Sequence, residues 1–193
     1  MANLTVINHV TLDGVMQAPG RYDEDRRDGF EHGGWAVPYG DAVMAEFMGK
    51  GMTGGGALVF GRRTYEDFAA VWPKQEGNPI STLLNERQKY VASTTLEEPL
   101  PWVNSTLLQG DVAEAVGRLK EEADEDLAVL GSGELIQTLM RHDLVDEFVL
   151  TIHPLVLGTG RRLFPDGGPS AGLRLVESLT TTTGVIIAVY RRA

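Results

Sequence analysis

Short apolar runs alternate with helical patterns through most of this chain and then, after Glu147, occur without helices between them. That change of rhythm limits the possible folds more than any other feature. Leu4 to Val10 is an apolar, partly β-branched run ending at Leu12-Asp13-Gly14, as expected of a strand buried on both faces. Further strand-like runs lie at Ala57 to Phe60, Lys89 to Ala92, Val103 to Leu108 and Leu127 to Leu130. Helical patterns lie at Asp41 to Gly49, Thr64 to Ala70, Asp111 to Ala123 and Glu134 to Arg141. Parallel neighbours need crossover connections, so the alternation predicts a mainly parallel sheet covered by helices. The later runs, Phe148 to Val156, Arg174 to Leu179 and Val185 to Tyr190, predict antiparallel strands that finish it. Residues 17 to 40 are rich in Gly, Pro and charge and read as a long functional loop, because structureless connections of that length are uncommon unless they cover a site.

Two strand-to-helix junctions carry the chemistry. In Leu58-Val-Phe-Gly61-Arg62-Arg63-Thr64-Tyr-Glu-Asp67-Phe, Gly61 ends a strand and Thr64-x-x-Asp67 has the form of a capping box. The N–H groups at a helix start are partly positive and suit a phosphate, and guanidinium adds bidentate donors. Arg62 is read as the phosphate ligand. Arg63 is read first as an ion-pair partner of Glu66 or Asp67, with phosphate contact as its second role. The other junction, Leu127-Ala-Val-Leu-Gly131-Ser132-Gly133-Glu134-Leu135, repeats the design, with glycines that permit positive φ and close approach of a pyrophosphate. Position 136 is Ile, so the third glycine of the usual dinucleotide fingerprint is missing. A single dinucleotide would use both junctions.

The 193 residues suit one domain, with 42% apolar and 23% charged residues. Lys and Arg number 17 against 27 Asp and Glu, a net charge of −10, which argues against nucleic acid or an anionic membrane as partner. The chain has no cysteine, hence no disulfide, thiolate nucleophile or thiolate metal site, and no His or carboxylate set has metal-ligand spacing. The opening residues lack a secretory pattern and no segment suits a bilayer span, so a cytoplasmic protein is expected.

In their order, Leu58 to Phe68, Lys89-Tyr-Val-Ala-Ser93-Thr94 and Leu127 to Leu139 resemble the cofactor-binding elements of the dihydrofolate reductase-like family. Thr11-Leu-Asp-Gly14 and Leu144-Val-Asp-Glu-Phe-Val-Leu-Thr-Ile-His-Pro-Leu-Val-Leu-Gly158 resemble more closely the reductase domain of bifunctional riboflavin-biosynthesis enzymes, which shares that fold. The resemblance implies a single α/β domain over residues 1–193, with a mainly parallel central sheet, helices on both faces and antiparallel C-terminal strands.

The cofactor implied is NADPH. By resemblance Gly61, Arg62 and Thr64 would hold phosphates, Ser93 and Thr94 would join Arg62 near the 2′-phosphate, and Ser132, Gly133, Glu134 and Leu135 would serve the pyrophosphate. Asn8 and His9 would lie near the nicotinamide. The family's acid stands in a W-x-x-P-x-D pattern at a helix start. Here Trp35-Ala-Val-Pro38-Tyr-Gly-Asp41 is one residue longer, leaving Asp41 as the catalytic candidate with helix capping as its competing role. Asp13, Trp35, Thr151 and His153 are candidates for the substrate side; a turn for Asp13 and structural roles for Thr151 and His153 compete.

The expected activity is reduction of a small heterocyclic or sugar-bearing substrate, most like the aminouracil reductases of riboflavin synthesis. A folate-type pterin reductase, a non-catalytic NADPH-binding protein and a protein that sequesters a planar drug are the rivals. The resemblance also implies a homodimer.

Overall fold

In the computed structural model, which describes residues 1–53 and 56–193, eight strands form one sheet in the order β4-β3-β2-β5-β1-β6-β8-β7. The strands are β1 (Leu4–Thr11), β2 (Ala57–Gly61), β3 (Lys89–Ala92), β4 (Ser105–Leu107), β5 (Leu127–Leu130), β6 (Glu147–His153), β7 (Leu173–Thr180) and β8 (Ile186–Arg192). The described helices are α1 (Ala42–Thr53), α2 (Arg62–Val71), α3 (Pro79–Glu86), α4 (Val112–Glu122) and α5 (Gly133–Arg141). Pairs β2–β3, β2–β5 and β3–β4 are parallel, while β6–β8 and β7–β8 are antiparallel, as the change of rhythm predicts.

By its contacts the chain divides into two compact units. Unit 1 holds Met1–Thr5 and Gly54–Asp146; unit 2 holds Val6–Thr53 and Glu147–Ala193.

In unit 1 the interior strand β2 is buried from Ala57 to Phe60, so its apolar run serves both faces of the sheet. Tyr65 is buried with it, and its hydroxyl accepts the Trp102 N–H at 3.0 Å. Helix α3 was not expected, although Asn78-Pro79 is a recognisable start. The Asn78 side chain accepts the Ile80 N–H at 2.9 Å, and Pro79 occupies the first turn. Asp111 caps α4 by accepting the N–H groups of Ala113 and Glu114 at 2.9 and 3.0 Å.

In unit 2 the antiparallel strands pack Val149, Ile187 and Val189 with Val185 and with Met44 of α1. Strand β6 stops before Pro154, short of the expected Val156, because proline cannot donate to a ladder. Residues 17 to 40 are not structureless. They contain two 3-10 turns, Arg27–Gly29 and Val37–Tyr39, and they bury Ala18, Phe30 and Trp35 with Val15. Buried Gln17 pins them: its amide N–H groups donate to the carbonyls of Asp25 and Arg27, and its amide oxygen accepts the Arg161 N–H at 2.9 Å.

Candidate functional site

The two glycine junctions of unit 1 are direct neighbours. The Ser132 N–H donates to Thr64 Oγ1 at 3.0 Å, and the Gly61 N–H donates to Ser132 Oγ at 2.9 Å. Ser132 Oγ in turn donates to the Leu130 carbonyl, so this buried serine ties β5 to the end of β2. The turn that makes this possible is left-handed at both Gly131 (φ 56°) and Ser132 (φ 57°).

A Cβ on Gly131 would lie 2.9 Å from Thr64 Cγ2 and 3.1 Å from Thr64 Oγ1. Gly131→Ala therefore combines a left-handed backbone with a clash against the threonine that holds the junctions together. The expected cost is about 2 kcal/mol of stability, read as a lower urea midpoint at unchanged slope.

Thr64 does not cap α2. The helix already starts at Arg62, its N-cap is Gly61, and no side-chain hydrogen bond closes that end. The chain enters the helix straight from the strand, which moves Thr64 into the first turn and frees its hydroxyl for Ser132. Helix α5 likewise has Ser132 as N-cap without a side-chain cap bond. By contrast α1, α3 and α4 are capped by Asp41, Asn78 and Asp111. The uncapped starts are the two that meet.

Both arginines carry ion pairs. Arg62 reaches Glu66 at 3.1 Å along its own helix, and Arg63 reaches Glu134 at 3.2 Å, linking α2 to α5. Neither pair is buried, and such bridges contribute roughly 0 to 1 kcal/mol, so either guanidinium can turn to a stronger anion at little cost. Leu135 is buried under the junction, and Gly133 and Glu134 form the first turn of α5. At the end of β3, Ser93 Oγ accepts the N–H groups of Thr95 and Leu96, an ST-turn, while Thr94 is exposed.

Unit 2 gathers a different set. His9 Nδ1 lies 2.9 Å from His153 Nε2, with the rings 5.2 Å apart. Trp35 and Tyr39 each meet His153 edge-to-face, at 5.1 and 5.4 Å between centroids. Burial pushes the His9 imidazole down to about 4; burial, and then the neighbouring His9, push His153 down to about 4. His153 and Thr151 are fully buried, and His153 Nδ1 and Thr151 Oγ1 have no hydrogen-bond partner among the described residues. Strand alternation buries Asn8 on the face of β1 opposite His9. The expectations treated His9 and His153 separately and did not include Tyr39. Their pairing depends on β1 and β6, strands far apart in the chain, so no local pattern announces it.

Two carboxylates have structural duties. Asp41 caps α1 by accepting the Met44 N–H at 2.8 Å, and its other oxygen accepts the N–H and hydroxyl of Thr182 at 2.7 and 2.6 Å. Those bonds hold its carboxyl below the usual range, Thr182 contributing most, which is the wrong direction for a proton donor. Asp13 accepts from Thr11 Oγ1 at 2.6 Å and from the N–H groups of Leu157 and Gly158, and is likewise lowered, chiefly by Thr11. It closes a turn onto the segment after β6. Trp35 donates Nε1–H to the Gln17 carbonyl at 2.7 Å, which fixes the ring that meets His153. No cluster of three or more metal-ligating side chains occurs among the described residues.

The model of one family, the RibD C-terminal domain, matches residues 2–187. The chain belongs to that family. It is similar to the uncharacterized protein YyaP of Bacillus subtilis (strain 168), 30% identical over 189 residues that span 94% of this chain and 90% of that protein. A shorter stretch of 58 residues, 30% of this chain and 33% of the other, is 40% identical to YwjB of the same organism. A crystal structure from Shewanella sp. PV-4, of a protein named for riboflavin biosynthesis, superposes with a TM-score of 0.68 at 22% identity, covering 100% of this chain and 99% of that one. A pyrimidine reductase-like protein from Corynebacterium diphtheriae gives 0.63 at 14% identity, covering 100% and 92%. These likenesses bear out the expected mixed α/β fold with its antiparallel finish. No described helix is long and apolar enough to cross a membrane.

Proposed function

We propose that this protein is an NADPH-dependent reductase acting on a small heterocyclic or sugar-bearing substrate, most like 5-amino-6-(5-phosphoribosylamino)uracil reductase. One observation carries the reading: in unit 1 two helix starts without side-chain caps are bound to each other through Ser132 and Thr64, beside two arginines with only surface ion pairs. This donor set suits a phosphate or diphosphate, since first-turn N–H groups and guanidinium act on the same charge. Bound there, NADPH would supply a hydride, and the protein's part is to hold and orient it.

Gly61, Arg62, Arg63 and Thr64 serve one junction and Gly131, Ser132, Gly133, Glu134 and Leu135 the other. Arg62 is the 2′-phosphate ligand, with Ser93 and Thr94 beside it. On the substrate side we assign His9, Trp35 and His153 of unit 2, with Thr151, and treat Asp41 and Asp13 as structural. The capped carboxylate of Asp41 favours the riboflavin-type reading over the folate-type one, which needs an acid at that position. A cytoplasmic homodimer is part of the proposal, and its dimeric state rests on the family resemblance alone.

Arg62→Ala is expected to weaken NADPH binding by about 1.5 to 3 kcal/mol, roughly 10- to 150-fold, with a smaller effect on NADH. Titration of both cofactors into both proteins checks it. Equal losses would remove the 2′-phosphate assignment, and absence of NADPH binding to the wild type would remove the reductase reading.

A further inference from the structure

We propose that His9 is a ligand-facing hydrogen-bond donor, presenting its Nε2–H to an acceptor oxygen or nitrogen of the substrate, and that His153 is the positioning residue that sets this tautomer. The substrate class, a planar heterocycle with a carbonyl or imine edge, rests on the reading above. The hydrogen-bond geometry does not.

The argument starts from the shared bond. His9 Nδ1 and His153 Nε2 lie 2.9 Å apart, so one proton sits between them and one ring donates. If His9 donated, the neutral His153 ring would carry its proton on Nδ1, which is buried without a partner among the described residues. An orphaned buried N–H is the rarer defect in native proteins; an under-used acceptor is tolerated more often. The favoured arrangement therefore has His153 Nε2–H donating to His9 Nδ1. That leaves the second proton of the pair on His9 Nε2, the nitrogen not engaged by His153.

Exposure selects the same ring. His153 is fully buried, walled by Trp35 and Tyr39, while His9 keeps a small solvent-accessible part, so of the two rings His9 is the one on the solvent side of the pair. Burial keeps both rings neutral at physiological pH. A neutral imidazole N–H can polarise an acceptor without giving up its proton, the role known for a neutral histidine in triosephosphate isomerase. In the reduction itself, hydride adds to the carbon of the C=O or C=N bond, the π pair moves to the heteroatom, and water supplies the proton there. His9 ends the step in the tautomer in which it began.

Long-range proton–nitrogen NMR of 15N-histidine-labelled protein at pH 7 reads the tautomers directly. Both His9 and His153 should be neutral and protonated at Nε2. A His9 ring protonated at Nδ1, or cationic at pH 7, would overturn the assignment. His153→Ala should let His9 exchange between tautomers, while His153→Gln, whose amide can donate to Nδ1, should restore the Nε2–H form. Unchanged His9 signals in a folded His153→Ala protein would remove the positioning role. Adding 5-amino-6-ribosylaminouracil 5′-phosphate without cofactor should shift the His9 Nε2 resonance, and no shift at saturating ligand would remove the ligand-facing role. With NADPH and the same compound, His9→Ala should lower kcat about 100-fold, with NADPH affinity kept within about threefold. A wild type that binds the compound with the His9 shift but oxidises no NADPH would sink the proposed reductase activity and leave this inference standing.

Discussion

Lys89→Ala is expected to lower stability at pH 7 by about 4 kcal/mol, a large share of the roughly 5 to 15 kcal/mol of an ordinary domain. Lys89 is fully buried on β3 and its ammonium donates to the carbonyls of Leu84 at 2.8 Å and Arg87 at 2.6 Å, with Asn85 at 3.4 Å. These oxygens lie in the last turn of α3 or just beyond it, where carbonyls have no partner within the helix. Asn104 covers the neighbouring carbonyls of Asn85 and Glu86 at 3.0 and 3.1 Å. The Lys89 charge also lies 4.6 Å from the centre of the Trp102 ring, where the aromatic face and the helix dipole both favour a cation. Burial pushes its pKa down to about 8, so at pH 7 it is still charged. Truncation would leave acceptors dry and open a cavity along the stem. Lys89→Met keeps the packing and loses only the donors, so it should recover about 1 to 2 kcal/mol. Urea unfolding of the three proteins reads the difference; equal midpoints for Ala and wild type would show that water replaces the ammonium.

Acid should unfold the protein through the desolvated pair of His9 and His153. A histidine whose folded pKa is about 4 against 6.5 unfolded takes up its proton more readily in the unfolded chain. The unfolded state thus binds more protons between those values, and stability falls as pH drops from 6.5 towards 4. Above that window the neutral rings cost nothing further. For His153, buried and pressed by His9, the loss across the window is on the order of 3 kcal/mol. His153→Gln should be less stable at pH 7 but show a flatter pH dependence, by about one proton, equivalent to roughly 1.4 kcal/mol per pH unit. Urea midpoints at several pH values from 4.5 to 7.5 give the slopes. Identical slopes in the two proteins would mean that the burial of His153 does not control acid stability.

Both residues illustrate what pattern reading can reach. Lys89 opens a strand-like run and reads as a strand residue; that it is the C-terminal closure of α3 depends on a helix the periodicity missed. The signal for that helix, Asn78 before Pro79, is present but short, and only eight residues follow it. The glycine junctions were legible because turn chemistry is local: Gly61 and Gly131 announce the ends of strands whatever the rest of the chain does. Their contact through Thr64 and Ser132 was not, since it joins residues 68 apart in sequence. Asp41 stood equally well as cap or acid in the sequence. The bonds from Met44 and Thr182 favour the cap, and Thr182 comes from the turn between β7 and β8, far along the chain.

The sequence by itself determined the order of the strands and of four of the five described helices, the antiparallel finish and the two glycine turns, because each depends on side-chain periodicity or on the φ freedom of one residue. Only the tertiary structure decided which polar groups meet: Ser132 with Thr64, His9 with His153, and the Lys89 ammonium with the end of α3. Burial makes those meetings matter, since a donor or acceptor removed from water must find its partner wherever the sheet brings one, regardless of distance along the chain.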